Sequence, residues 1–167
     1  MAASMTLDLQ NTDKLNTFKQ ELDRLEIKLL PPNVNTSLAV FSVEQLNGSD
    51  GESLAVRYAL AGLKNVGQAA MENLVLERAA NGLFSDIHDF ANRLDSKIIN
   101  KRQLENLIRA GALDTLSPNR QQLYGSVEMI LRQASVIQQE KKSDQIGLFG
   151  TEETLNTPMI LSDINDW

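Results

Sequence analysis

The segment from Leu60 to Arg78 constrains the fold of this chain more than any other. Two apolar pieces, Leu60–Leu63 and Ala69–Val75, are joined by nothing longer than Lys64-Asn65-Val66-Gly67. Gly67 takes a positive φ at no steric cost, and Asn65 is among the residues with a side chain that tolerate it best. Beyond the bend, Ala70, Met71, Leu74, Val75 and Arg78 recur at helical spacing, so a helix starts close to Gly67 or Gln68. The first amides of that helix lack partners within it, and its positive end lies next to Lys64. The arrangement suits a phosphate oxygen better than a metal ion or a nucleophile.

This is the layout of a helix-hairpin-helix motif, which grips the nucleic-acid backbone without reading bases. The usual hairpin is Gly-hydrophobic-Gly. Here it reads Asn65-Val66-Gly67, with asparagine in place of the first glycine. The competing reading of the same residues is a short helical turn in an ordinary α-domain.

A net charge of −6 argues at first against a nucleic-acid partner, but its distribution reverses that impression. Residues 1–56 hold 4 basic and 8 acidic side chains, residues 57–142 hold 12 and 9, and residues 143–167 hold none and 5. The net of +3 thus coincides with the bend, and local charge decides contact with phosphates. So small an excess fits a module that assists DNA binding rather than one that holds DNA alone. A length of 167 residues fits one domain of ordinary size, with or without attached pieces. Aromatics at 5% leave Leu, Ile, Val and Ala to fill the core. The absence of cysteine excludes disulfides and zinc–thiolate sites and fits a reducing compartment, so a cytoplasmic location is expected. No apolar run approaches the ~20 residues of a membrane span. The opening Met-Ala-Ala-Ser-Met-Thr-Leu lacks both the basic flank and the apolar core of a signal peptide.

In chain order, Asn11 or Thr12 caps a helix with Leu15, Phe18, Leu22 and Leu25 on one face. Ile27–Leu30 is extended and stopped by Pro31-Pro32, and Asn33–Ser37 continues as an ordered loop. Phe41–Val43 and Leu54–Tyr58 are brief strands around the turn Asn47–Gly51, giving a small hairpin. Asn81-Gly82 ends the central helix, and Ser85 caps the next, from Asp86 to Leu94. Asn100 caps Lys101–Ala110, Ala110-Gly111-Ala112 is a second tight turn, and Ser117-Pro118 opens a long helix to about Lys142. From Ser143 the helical signal fades, and the acidic remainder reads as a flexible or extended tail.

Five segments occur in a specific order: Asn33–Ser37 after a double proline, Arg57–Gly67, Asn100–Arg102, Leu107–Asp114 and Gln145–Phe149. In this the chain resembles the α subunits of bacterial DNA polymerase III, the replicative polymerase, over almost its whole length. The resemblance implies a mainly α fold: a tandem helix-hairpin-helix domain over 54–142, preceded by the end of the fingers region at 1–53. That N-terminal piece would be a helix and a small β-hairpin, and residues 143–167 would be a linker carrying a clamp-binding peptide. It further implies that Lys64, Asn65, Val66, Gly67 and Gln68 make the first phosphate contact. Ala110, Gly111 and Ala112, assisted by Lys101 and Arg102, would make the second, although Gly111 reads equally as a helix C-cap. Gln145, Leu148 and Phe149 would dock in the sliding clamp, where the competing reading is a hydrophobic foot on the chain's own domain. The implied partners are double-stranded DNA, the clamp and other subunits of the polymerase holoenzyme, with no membrane.

Nucleotidyl transfer needs carboxylates that hold two magnesium ions. In the family these lie in the palm, upstream of the fingers, and no Asp-x-Asp pair occurs here. Asp86 and Asp89 share a face but are explained by a helix start, and the single histidine, His88, cannot build a metal site. No catalytic residue, metal ligand or cofactor is therefore expected in this stretch, which should not polymerise DNA by itself. A free-standing helix-hairpin-helix repair accessory module and a helical protein-interaction scaffold are the alternatives.

Overall fold

The computed structural model describes residues 1–9, 11–48, 51–144 and 161. Among them the chain is mainly helical: α1 (Ala2–Leu7), α2 (Thr12–Arg24), α3 (Gln68–Asn81), α4 (Ile87–Arg93), α5 (Lys101–Arg109), α6 (Arg120–Gly125) and α7 (Val127–Asp144). A small sheet is made of β1 (Lys28–Leu30), β2 (Ser42–Gly48) and β3 (Gly51–Arg57), and a 3-10 turn at Leu60–Gly62 leads into the bend. No helix among the described residues is long and apolar enough to cross a membrane.

The amphipathic faces of the helices are the buried ones. Ala70, Met71 and Leu74 of α3, Ile87, Phe90 and Ala91 of α4, and Leu104, Leu107 and Ile108 of α5 all enter one core. Burying a Leu, Ile, Met or Phe side chain contributes about 1.5–3 kcal/mol, which is why amphipathic spacing prevails over propensity. On α2, Leu15 and Leu22 are buried, but Leu25 falls at the helix C-cap and is exposed.

Several boundaries differ from expectation. Residues read only as lacking a leader form α1, which buries Ala2 and Met5 and packs on α2 and β2. The hairpin strands are longer than expected, pairing antiparallel from Ser42–Arg57 to Gly48–Gly51. β1 adds a third strand, parallel to β3 with Leu29 opposite Val56, so the sheet order is β1-β3-β2. β3 runs straight across the boundary placed after residue 53. Asp86, not Ser85, caps α4: its carboxylate accepts from Asp89 N–H at 2.8 Å, and Asp89 accepts from Ser85 N–H at 3.0 Å. Ser117 is buried in a turn, its N–H donating to Leu113 O at 3.0 Å, so α6 starts later, with Asn119 accepting from Gln122 N–H at 2.8 Å. The long final helix is broken at Gly125-Ser126, a pair of the kind that kinks helices. Leu123, Val127, Ile130 and Ala134 still share one buried side across the break.

The loop Asn33–Ser37 bolts the N-terminal elements to the helices. Arg78 donates to Val34 O at 2.7 Å and to Ser37 O at 2.8 Å. The Asn35 amide exchanges two hydrogen bonds of 2.9 Å with the backbone of Phe84, and Val34 N–H donates to Ala112 O at 2.9 Å. This brings residues far apart in sequence into one body with a continuous core. The tail over 145–160 and 162–167 lies outside the described residues, while Leu161 packs half-buried on the core.

Candidate nucleic-acid interface

The bend is anchored by one side chain and left open otherwise. Val66 is buried, and its N–H donates to Leu63 O at 3.1 Å, which closes the turn after the 3-10 segment. Lys64, Asn65 and Gln68 are exposed. The left-handed residue is Asn65, with φ 60, and Gly67 is extended, with φ −77 and ψ 140. Asparagine thus does the conformational work expected of a glycine, because its short side chain tolerates a positive φ.

What Gly67 supplies is room. A methyl group built on it would meet Gln103 Nε2 at 3.0 Å. Gln103 belongs to the first turn of α5, where it and Asn100 form a reciprocal capping box at 2.9 and 3.0 Å. The starts of α3 and α5 therefore lie side by side.

α3 begins without a side-chain cap and without an acidic residue in its first turn. Among the described residues no acceptor meets the amides of Gly67, Gln68 or Ala69. Gln68 instead uses its side chain on Glu72, at 2.8 Å. These amides, the positive helix end and Lys64, which has no ion pair among the described residues, make a ready position for an anionic oxygen.

The second turn is built differently. Gly111 has φ 78, its N–H donates to Ile108 O at 2.9 Å, and Ala112 N–H donates to Leu107 O at 3.0 Å. These two bonds are the Schellman motif, and Ala110 N–H is taken as well, by Asn106 O at 3.0 Å. Ala112 is buried and its carbonyl receives Val34, while the Arg120 guanidinium, paired with Asp114, lies over Gly111. The glycine is a helix C-cap, and the amides needed for a phosphate are already used.

Lys101 and Arg102 do not reach that turn. They open α5 and the turn closes it, about 12 Å away at 1.5 Å per residue. Lys101 pairs with Glu128 at 2.6 Å, and the carboxylate pushes the lysine pKa up. Arg102 is exposed, with no ion pair among the described residues, on the turn that abuts Gly67. The turn that carries them thus lies beside the first bend rather than the second.

Sequence reasoning missed a cleft of about 510 Å³ beside the bend. Lys19 of α2 lines it together with Lys64 and Asn65. Nothing in the spacing of α2 announces this, since Lys19 reads as one exposed residue of an amphipathic helix. Gln145, Leu148 and Phe149 lie outside the described residues. Among those described, no three His, Asp or Glu side chains converge.

The family profile for the helix-hairpin-helix motif matches residues 26–123. DNA polymerase III subunit alpha of Caulobacter vibrioides is 43% identical over 166 residues, which are 99% of this chain and 14% of that protein. The subunits of Campylobacter jejuni and Vibrio cholerae are each 38% identical, over 92% and 90% of this chain and 12% of either relative. The chain thus spans only 12% to 14% of the length of these relatives. With most of its described core inside the matched residues, and nearly its whole length alike to polymerase segments, this chain belongs to the helix-hairpin-helix family, in the form that DNA polymerase III α subunits carry.

Proposed function

We propose that this chain is the part of a replicative DNA polymerase α subunit that grips duplex DNA by its backbone and tethers it to the sliding clamp. The observation supporting the grip is the uncapped start of α3, where the amides of Gly67, Gln68 and Ala69 find no acceptor among the described residues. Lys64 and Asn65 flank that start, with Arg102 and Lys101 on the adjoining turn of α5. Backbone donors contact phosphate and see no base edge, so the grip is independent of sequence. Ala110, Gly111 and Ala112 contribute by holding the fold, through the helix cap and the bond to Val34.

The tether rests on Gln145, Leu148 and Phe149 in the order the resemblance implies. Leu148 and Phe149 would bury in an apolar pocket of the clamp, with Gln145 bonding at its rim. Nucleotide transfer, its magnesium ions and the further holoenzyme contacts belong in this reading to the rest of the longer protein.

Titration with duplex DNA across salt concentrations tests the grip. Affinity should fall steeply, with a logarithmic slope of about 0.9 per phosphate neutralised, and Lys64→Gln should lower that slope by about one. Salt-insensitive binding would refute it. For the tether, Leu148→Ala with Phe149→Ala should abolish capture by the cognate clamp and leave duplex affinity unchanged. Undiminished clamp capture refutes that half alone.

A further inference from the structure

We infer that Lys19 and Lys64, which both line the cleft between α2 and the bend, form a second position for backbone phosphate. The DNA strand held at the start of α3 would pass from there over α2. This inference rests on the DNA-gripping reading above.

The cleft is built as an anion site. Its lining holds two full charges, Lys19 and Lys64, and no carboxylate. Both lysines are exposed, and neither has an ion pair among the described residues. Asn16 and Asn65 add neutral donors to the lining, and Leu15, Leu29 and Leu63 add apolar surface. A cleft of one sign with low-dielectric walls concentrates the field of its charges, so two lysines act there more strongly than two on an open face.

The neighbouring groove fixes the direction of the strand. On the other side of the α1–α2 junction, Gln68 shares a groove with Asp8 and Asp13. Asp8 is matched by Lys14 at 2.8 Å, but Asp13 has no ion pair among the described residues. A strand carries one charge per ~3.4 Å of helix axis, so a phosphate at the α3 start brings others within reach on either side. One side offers two lysines, the other an uncompensated aspartate. The strand turns towards Lys19.

The test is duplex titration across salt concentrations with the wild-type chain and its variants Lys19→Gln, Lys19→Arg, Lys64→Gln, Asp13→Asn and Lys141→Gln. Lys141 lies on the last turn of α7, outside the cleft lining. Lys19→Gln should weaken binding several-fold and reduce the salt slope by about one, with Lys19→Arg restoring both. Lys141→Gln should change neither, and Asp13→Asn should tighten binding. If Lys19→Gln behaves like Lys141→Gln while Lys64→Gln still weakens binding, this inference fails and the grip at α3 stands. If the wild-type chain shows no salt-sensitive duplex binding, both fail.

Discussion

Gln68→Pro isolates the vacant amides from everything else at the bend. Gln68 is the first residue of α3, where proline is favoured because the missing N–H has no helical partner. The preceding Gly67, at φ −77 and ψ 140, already has the extended conformation that a following proline requires. The Gln68–Glu72 side-chain bond is lost, at about 0.2–0.5 kcal/mol for an exposed pair of this spacing. Against that, restricting the unfolded chain stabilises by about 0.4–1 kcal/mol. The melting temperature should therefore hold or rise slightly. For a phosphate at this position, one charge-assisted hydrogen bond disappears, a loss of about 1.5–3 kcal/mol. That corresponds to roughly ten- to a hundredfold in Kd, since each ~1.4 kcal/mol is tenfold. The salt slope should remain, because no cation is removed; Lys64→Gln, by contrast, must lower it. Fluorescence anisotropy with a labelled duplex, together with thermal denaturation, reads all three quantities. A variant that melts like the wild type and binds DNA equally well would show that the amides at the start of α3 carry no phosphate.

Two further predictions concern the second turn and the loop that holds it. Gly111→Ala forces a side chain to φ 78 and into Arg120, costing about 1–2 kcal/mol for the backbone alone. Calorimetry should record a melting temperature lower by roughly 3–8 °C for a chain of this length, while duplex affinity measured well below the melting point stays unchanged. An affinity loss would restore this turn as a phosphate contact. Asn35→Ala strands the Phe84 N–H and C=O that its amide satisfies, at about 1–3 kcal/mol for the unsatisfied groups. Urea denaturation should show that loss, and an unchanged midpoint would mean that the loop does not bolt the two halves together.

How much of this was legible beforehand depended on the range of the interaction. Asn11 and Asn100 announce helix starts, and Asn81-Gly82 an ending, because a cap involves residues within one turn of each other. Local chemistry also allowed close competitors: Asp86 displaces Ser85 as a cap, and Asn119 displaces Ser117-Pro118, according to where neighbouring turns are already committed. At the bend, a positive φ was expected near Asn65 and Gly67; Asn65 takes it, and Gly67 instead leaves room for Gln103, from 36 positions away.

The sequence by itself determined the helical framework, its buried faces and the open amide-bearing bend, since hydrophobic spacing and caps act along a single element. Only the tertiary structure decided that Gly111 is a cap with Val34 bonded to the carbonyl after it, that the turn carrying Arg102 abuts Gly67, and that Lys19 and Lys64 line one cleft. Those outcomes hinge on which elements come to lie side by side, and packing of distant surfaces leaves no periodicity in either partner.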